Sequence, residues 1–427
     1  MTQTILITNG RVIDPSQNMD RITNILIENG RITAYDIQPS GREREIDASG
    51  MIVAPGLVDL HVHLREPGGE DAETISSGTE AAINGGYTSI ACMPNTTPPT
   101  DTQAAVEYIK AQAARADRCN VYPVACISKN REGKELSEMG QLAAAGAVGF
   151  TDDGSCVSNA ELMRRALEYA KMFDLPVMSH AEDEHLSLQG VMHEGLTSVR
   201  LGLRGIPSAA EDVITGRDII LSEYTHGRLH LMHVSTKTSV ALIRNAKLHG
   251  VPVTAEVTPH HLTLTDDLLE SYDTNLKMNP PLRDKSDVAA CIQGLLDGTL
   301  DCISTDHAPH AREKKEREFD FAPFGVTGLE TALGVISTYL VKPGILTWNQ
   351  VIEKMSFNPA KIIRIPKGTL ALGADADVVM IDPNCSWKVT KEEFRSQSVN
   401  SAYLNKELIG RAMIVIVGGR VRLNRRG

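Results

Sequence analysis

The sequence predicts an α/β protein, a (β/α)8 barrel joined to a small β-sandwich that is built from both chain ends. Three observations support this prediction. Strand-like runs alternate with helix-length segments through the middle of the chain, the two ends carry similar β-type sequences, and polar residues follow nearly every strand-like run. A doubly wound parallel sheet is the alternative to the barrel.

Similar β-type sequences lie at the two ends of the chain. ILITNGRVID at 5–14 and ILIENGRITA at 25–34 are near copies, MIVIVGGRVRL at 413–423 repeats the theme, and GTLALGADADVVMID at 368–382 reads as strand, turn and strand. Asn-Gly between alternating apolar residues predicts a hairpin, because both turn residues must tolerate positive φ. Two separate β modules are less favoured, since each would have little core of its own. The predicted domains are 1–54 and 366–427 for the sandwich and 55–365 for the barrel.

Eight strand-like runs define the predicted barrel. Between most of them lie segments rich in Ala, Leu, Glu and Lys, such as SNAELMRRALEYAKMF, which predict helices. Catalytic groups of such barrels lie at the carboxyl ends of the strands, so we expect the chemistry there. The runs are LVDLHVH (57–63), TSIACM (88–93), VYPVACI (121–127), VGFT (148–151), PVMSH (176–180), LHLMHV (229–234), PVTAEVT (252–258) and DCISTD (301–306).

Composition excludes several classes of protein. The 427 residues are 42% hydrophobic and 23% charged, which is ordinary globular usage. The seven cysteines are scattered without a CxxC pair, so we expect reduced thiols. The net charge of −11 disfavours a nucleic-acid or membrane surface. No apolar run approaches the roughly 20 residues that cross a bilayer, and the first residues lack a signal-peptide pattern, so we expect a cytoplasmic protein.

Histidines and carboxylates gather at the predicted strand ends. Residues two apart on a strand point the same way, so His61 and His63 can reach one ion, while Leu60, Val62 and Leu64 are expected to pack outward. Four histidines and two carboxylates form a set of nitrogen and oxygen ligands that suits zinc, with enough ligands for two ions if one carboxylate bridges. The candidate ligands are His61, His63, Asp153, His180, His233 and Asp306.

The other histidines near the strand ends have weaker assignments. His230 faces the opposite side of its strand from His233 and is predicted to be a packing residue. His260 and His261 follow the seventh strand, but their spacing assigns them no role. His307 alternates away from Asp306 and is expected to support it.

Two segments resemble the signature sequences of dihydroorotases, which are metal-dependent (β/α)8 barrels of the amidohydrolase superfamily. These segments are DLHVHLREPG at 59–68 and TDHAPHAREKK at 305–315, and the resemblance continues through ACMPNT, GFTDDG, MSHAED, HVST and KMNPPLR over nearly the whole chain. The resemblance implies that His61 and His63 hold one zinc ion, that His180 and His233 hold a second, and that Asp153 bridges them.

The bridging position separates branches of the superfamily. Hydantoinases, allantoinases and some dihydroorotases bridge their metals with a carboxylated lysine after the fourth strand, but GFTDDG contains no lysine. The chain therefore resembles the bacterial dihydroorotases that use an aspartate. Asp152 is the competing candidate, and Asp153 is preferred because it matches the family position.

The resemblance also implies a reaction and a substrate pocket. The reaction is the reversible cyclisation of N-carbamoyl-L-aspartate to L-dihydroorotate with loss of water, in pyrimidine synthesis. A metal-activated hydroxide would act in the hydrolytic direction, with Asp306 as a metal ligand and proton shuttle. The planar fork of Arg65 suits a carboxylate. The implied substrate contacts are Arg65, Asn95 and His310 for the carboxylate, and Asn279 with the backbone of Pro323, Phe324 and Gly325 for the ring edge.

Two other functions and several partners are left open. The chain could be another cyclic amide hydrolase, such as an allantoinase or hydantoinase, or a non-catalytic dihydroorotase-like subunit of aspartate transcarbamoylase. The charged loop 311–325 is a candidate partial lid. We expect a homodimer that acts on a small molecule, and association with aspartate transcarbamoylase is an open alternative.

Overall fold

The computed structural model describes residues 4–426, in which strands and helices alternate through the middle of the chain. The strands are β1 (Ile5–Asp14), β2 (Met19–Glu28), β3 (Arg31–Tyr35), β4 (Arg44–Asp47), β5 (Ile52–Pro55), β6 (Leu57–Val62), β7 (Tyr87–Cys92), β8 (Asn120–Pro123), β9 (Val177–Ser179), β10 (Met192–His193), β11 (Gly205–Ile206), β12 (Leu229–Leu231), β13 (Val253–Val257), β14 (Cys302–Ile303), β15 (Val378–Lys388), β16 (Glu407–Val417) and β17 (Arg420–Asn424).

The helices follow most of the barrel strands. They are α1 (Ile75–Gly85), α2 (Gln103–Ala116), α3 (Met139–Ala145), α4 (Ala160–Ala170), α5 (Glu184–Ser187), α6 (Leu196–Leu201), α7 (Ala209–Thr225), α8 (Lys237–Leu248), α9 (Pro259–Thr263), α10 (Lys285–Leu296), α11 (Arg312–Lys315), α12 (Ala332–Ile336), α13 (Trp348–Ile352) and α14 (Asn358–Ile362). Within residues 4–426, every helix is too short or too polar to span a bilayer.

Strands from both chain ends form one sheet, as predicted. Its order is β17-β16-β15-β5-β1-β2-β3, and β4 pairs with β1. Ile7 and Val378 belong to an apolar cluster contributed by the sheet and its connecting segments. Ile13 and Val379, on the same strands β1 and β15, belong to the larger cluster that contains the barrel and its helices. The sheet therefore has a core of its own and is also packed against the barrel.

The Asn-Gly pairs have two different uses. Asn29 and Gly30, with φ of 53° and 77°, form the predicted turn between β2 and β3. The predicted hairpin at Asn9-Gly10 is wrong, because β1 runs through both residues and its pairing with β2 shifts between Ile7 and Gly10. The positive φ of Asn9 serves a β-bulge there rather than a turn.

The predicted C-terminal strand, turn and strand at 368–382 is also only partly correct. Residues 368–377 form an irregular segment with a single bridge from Asp375 to Arg31, and the regular strand β15 begins at Val378. Backbone N–H groups of this segment bond elsewhere, for example that of Leu370 to the carboxylate of Asp14 at 2.7 Å. The segment is thus held both by this side chain and by backbone hydrogen bonds to the β2–β3 hairpin, such as that from Gly373 to the Ile32 carbonyl at 2.8 Å.

Eight parallel strand positions close into a barrel. β6, β7 and β8 pair in one group, and β9, β12, β13 and β14 pair in another. Phe150, in the fourth predicted strand, bridges Ala125 to Val177, while His307 pairs with Val62 and closes the ring. The barrel prediction is confirmed, although the fourth strand consists only of these isolated bridges and the eighth of two paired residues, Cys302 and Ile303, together with the bridge at His307.

Helix caps lie a few residues after several strand ends. The residues between each strand end and the following cap contribute to the site. The Thr236 hydroxyl accepts from the backbone N–H of Ser239 at the start of α8, three residues after His233. Asn159 caps α4 in the same way, six residues after Asp153. Each cap satisfies N–H groups of the first helical turn. The site residues therefore lie in short connections anchored at both ends.

Candidate metal and substrate site

A cavity of about 240 Å³ lies at the carboxyl ends of the barrel strands. Most of the site residues predicted from sequence line it. His61 lies fully buried next to it, and Pro323 is the one predicted contact residue that does not line the cavity. The lining residues are His63, Arg65, Asn95, Asp153, Gly154, His180, His233, Asn279, Asp306, Ala308, His310, Phe324 and Gly325.

Asp153 lies at the centre of the four histidines. Its Oδ1 is 3.4 Å from His61 Nε2, 3.6 Å from His180 Nδ1 and 3.8 Å from His233 Nε2. Its Oδ2 is 3.4 Å from His63 Nε2. One buried carboxylate thus faces both predicted pairs of ligands, as a bridging group must.

Asp306 approaches the same centre from the eighth strand. Its Oδ1 is 3.1 Å from His63 Nε2 and 3.5 Å from His61 Nε2. Burial alone would raise the pKa values of Asp306 and Asp153, but the nearby histidines, His61 foremost, hold both well below their ordinary range. Both side chains are therefore carboxylates.

Three of the four histidines are oriented by an acceptor on the side away from the centre. An acceptor at one ring nitrogen takes the N–H and leaves the lone pair of the other nitrogen directed inward. The pairs are His61 Nδ1 with Glu256 Oε1 at 2.8 Å, His63 Nδ1 with Asn95 Oδ1 at 2.8 Å, and His180 Nε2 with Glu182 Oε2 at 2.9 Å.

The space between the four histidines and the two carboxylates requires a positive charge. His61 Nε2 is buried and has no hydrogen-bond partner among the described residues, although it faces two carboxylates. His180 Nδ1 lies 2.9 Å from His233 Nε2, so two lone pairs would meet there unless a cation or a proton intervenes. Burial lowers the pKa of His180, but Asp153 and Glu182 outweigh it and raise the pKa to about 10.

Two overlapping sets of ligands fit divalent metal ions. His61, His63 and Asp306 have donor atoms within 4.8 Å of one another, and so do His61, Asp153 and His233. Imidazole nitrogen and carboxylate oxygen are ligands that zinc and related ions accept. The residues present therefore fit the group that the sequence implies.

Asp152 is turned away from this centre. Its Oδ1 accepts from the backbone N–H groups of Ile127 and Ser128 at 2.9 and 3.0 Å, and its Oδ2 accepts from the Ser128 hydroxyl. These contacts fasten the segment after the third strand position. Of the two neighbouring aspartates, Asp153 is the one that faces the histidines.

The predicted carboxylate pocket contains one fixed cation. Arg65 is enclosed at the cavity with φ of 58°, and its Nε donates to the Pro309 carbonyl at 3.2 Å. Asn95 Oδ1 is engaged with His63, so the amide N–H₂ is the donor that Asn95 can offer.

His310 faces the same cavity as a neutral ring. Burial, followed by the charge of Arg65, lowers its pKa to about 3, and its Nε2 donates to the Phe324 carbonyl at 2.7 Å. Its Nδ1 is consequently an acceptor, so a carboxylate contact at that atom needs a second proton on the ring.

The predicted ring-edge contacts are engaged within the protein. Asn279 Nδ2 donates to Glu182 Oε2 at 2.7 Å. Lys315 Nζ donates to the carbonyls of Pro323 and Gly325 at 3.0 and 2.9 Å, which ties the loop 311–325 together. Contacts of these groups with a substrate, and motion of the loop, stay predictions.

Glu182 and Glu256 were not predicted as site residues from the sequence, and the prediction for His230 was incomplete. Glu182 follows the fifth strand at the site, and Glu256 lies fully buried within β13. A glutamate inside the apolar run PVTAEVT was the available signal, because a buried carboxylate needs partners. His230 is buried, as expected, but it also bonds to Glu256 at 3.2 Å, so it is more than a packing residue.

The expected outward packing of the first strand is wrong for Leu60. Val62 and Leu64 pack in the cluster that contains the outer helices, whereas Leu60 packs with Met178 and Met232. The pairing of β6 with β7 shifts between Asp59 and Val62, and this irregularity interrupts the two-residue alternation.

The two histidines after the seventh strand lie beside the site. His261 contacts the Thr258 hydroxyl at 2.9 Å and the Pro280 carbonyl at 2.9 Å, so both its nitrogens are engaged. His260 is buried, and its Nε2 has no hydrogen-bond partner among the described residues. Neither ring lines the cavity.

Comparisons with known proteins find relatives that cover nearly the whole chain. A family model described as Dihydro-orotase-like matches residues 50–239. The dihydroorotase of Pelobacter propionicus is 52% identical over 420 residues, which cover 98% of this chain and 99% of that protein. The dihydroorotase of Pelotomaculum thermopropionicum is 52% identical over 419 residues, or 98% of each chain.

A solved structure shares the whole architecture. The L-hydantoinase from Arthrobacter aurescens superposes with a TM-score of 0.89 at 27% identity, covering 100% of this chain and 97% of that one. The fold is thus common to several cyclic amide hydrolases, whereas the similarity in sequence is much higher to dihydroorotases. The chain belongs to the dihydroorotase family.

Proposed function

We propose that the chain interconverts N-carbamoyl-L-aspartate and L-dihydroorotate and that it uses two zinc ions per subunit. Membership of the family makes it a cyclic amide hydrolase. The observation that carries the proposal is the position of Asp153 within 3.4 to 3.8 Å of four histidines, at a cavity that also contains Arg65.

The site has the parts that the reaction needs. Zinc bound by these ligands would lower the pKa of a water molecule and polarise the amide carbonyl. In the hydrolytic direction, the water oxygen bonds to the ring carbonyl carbon, the ring C–N bond breaks, and the nitrogen takes up a proton. Asp306 is the carboxylate beside the ligands that can accept the proton of the water and deliver it to that nitrogen.

Arg65 would orient the substrate. Its guanidinium can bond to the substrate carboxylate with two parallel N–H groups, with the Asn95 amide as a further donor. A carboxylate approaching a chain of net charge −11 needs such a local cation. The pocket therefore favours an anionic cyclic amide over neutral hydantoins.

The proposed function is tested by assaying the purified, zinc-loaded chain in both directions on carbamoyl aspartate and dihydroorotate, with allantoin and hydantoin as controls. We expect turnover of the first pair and at most weak turnover of the controls. Turnover of allantoin or hydantoin without turnover of dihydroorotate would replace the proposal with another cyclic amide hydrolase. Zinc binding without turnover of any substrate would favour the non-catalytic subunit.

Replacing Arg65 with alanine should separate substrate binding from metal binding. Loss of a buried charge partner costs several kcal/mol, so we expect KM to rise about 100-fold while the zinc content stays unchanged. Arg65→Lys, which keeps the charge but lacks the planar fork, should recover part of this loss. An alanine variant with the KM of the parent chain would remove Arg65 from the carboxylate pocket.

A further inference from the structure

A chain of buried polar groups extends behind His61, away from the cavity. Glu256 Oε1 is 2.8 Å from His61 Nδ1 and accepts from the backbone N–H of His233 at 3.3 Å. Glu256 Oε2 is 3.2 Å from His230 Nε2, and His230 Nδ1 is 2.9 Å from Thr254 Oγ1. Glu256 therefore contacts one predicted ligand of each metal ion.

The contacts of Glu256 determine how these groups share protons. Its two oxygens face His61 Nδ1 at 2.8 Å and His230 Nε2 at 3.2 Å, so both rings donate to the carboxylate. With its proton on Nδ1, His61 directs the Nε2 lone pair toward Asp153 and Asp306. His230 donates through Nε2 and holds the second oxygen of the carboxylate.

We propose that Glu256, held by His230, is a positioning residue that fixes the proton and ring orientation of His61 and thereby raises the affinity for the ion that His61 binds. The inference rests on the proposed function in assuming that His61 is a metal ligand. A carboxylate behind a ligating histidine makes the inward nitrogen more basic and reduces its freedom to rotate.

The same residues are poorly suited to hold an ion of their own. His230, Glu256 and Cys302 have donor atoms within 4.8 Å of one another. Both nitrogens of His230 already have hydrogen-bond partners, and burial raises the pKa of the Cys302 thiol well above its ordinary value. The trio is better explained as support for His61.

The test is to measure zinc dissociation constants of the full chain by competition with a chelator. For Glu256→Gln we expect the zinc dissociation constant of the site that contains His61 to rise about 10-fold. Hydrogen-bond partners of ligating histidines have effects of that order. The KM at saturating zinc should stay unchanged, because Glu256 does not line the cavity. A loss of stability alone would leave the zinc affinity of the folded fraction unaltered.

Glu330→Gln is the matched control. Glu330 is also buried, and it bonds to Asn84 and to the backbone N–H groups of Arg395 and Ser396, all away from the cavity. This variant should keep the zinc affinity of the parent chain. An equal loss of affinity in both variants would show a general effect of removing a buried carboxyl group and would overturn the proposal.

His230→Leu provides a second test that does not depend on the folding of Glu256→Gln. It removes the donor to Glu256 Oε2, so we expect a rise in the zinc dissociation constant of about 3-fold, less than for Glu256→Gln because the contact with His61 is indirect. Unchanged zinc affinity in either variant would overturn the part assigned to that residue. Failure of the parent chain to bind zinc would instead refute the proposed function.

Discussion

The variant Asp153→Asn is expected to lose bound metal and activity together. The substitution preserves shape but removes the negative charge that lies within 3.4 to 3.8 Å of the four histidines. If Asp153 bridges two ions as we propose, a site without this anion should retain at most one zinc ion. Because metal ions stabilise the transition state by several kcal/mol, kcat should fall about 1000-fold or more. Metal analysis and steady-state kinetics on the same preparation check this.

Asp152→Asn is the matched control for this prediction. Its carboxylate is equally buried, but it holds the backbone of Ile127 and Ser128 and does not face the histidines. We expect this variant to bind zinc normally and to unfold at a lower temperature, because two N–H groups lose an anionic acceptor. Loss of metal in Asp152→Asn with retention in Asp153→Asn would reverse the assignment.

The second large effect is expected from Asp306→Asn. An amide can neither take the proton of the water nor deliver it to the ring nitrogen, and removing general acid–base catalysis typically costs 10²- to 10⁴-fold. We therefore expect kcat to fall about 1000-fold, with KM changed much less because Arg65 remains. At least the ion that His180 and His233 are predicted to hold should be retained.

Asp301→Asn controls for a change in the same barrel strand. Asp301 lies at the opposite end of β14, where it pairs with Lys247 at 2.6 Å and accepts from the backbone N–H of Ala255 at 2.8 Å. The Asp301→Asn variant should differ from the parent chain in stability and keep a similar kcat. If Asp306→Asn turned over substrate at the parent rate, another group would have to move the proton.

The fold was predictable because its signals are local and repeated. Runs such as LHLMHV and PVTAEVT, separated by helix-length segments, predict parallel strands with helical crossovers, and both form paired strands here. The local signal failed at Asn9-Gly10, where the same dipeptide that turns at Asn29-Gly30 sits in a bulge instead. The strands β2, β4 and β5, which pair with β1 around this dipeptide, decide between the two.

The sequence by itself determined the chemistry of the site: histidines and carboxylates at successive strand ends, and an arginine beside them. These residues meet because barrel topology brings the carboxyl ends of parallel strands to one face. Only the tertiary structure decided that Asp153 faces the histidines while Asp152 holds backbone, that Glu256 and Glu182 orient His61 and His180, and that His310 donates to Phe324. Spacing along the chain assigns a residue to a strand end, but the direction of a side chain in an irregular connection depends on partners from other strands.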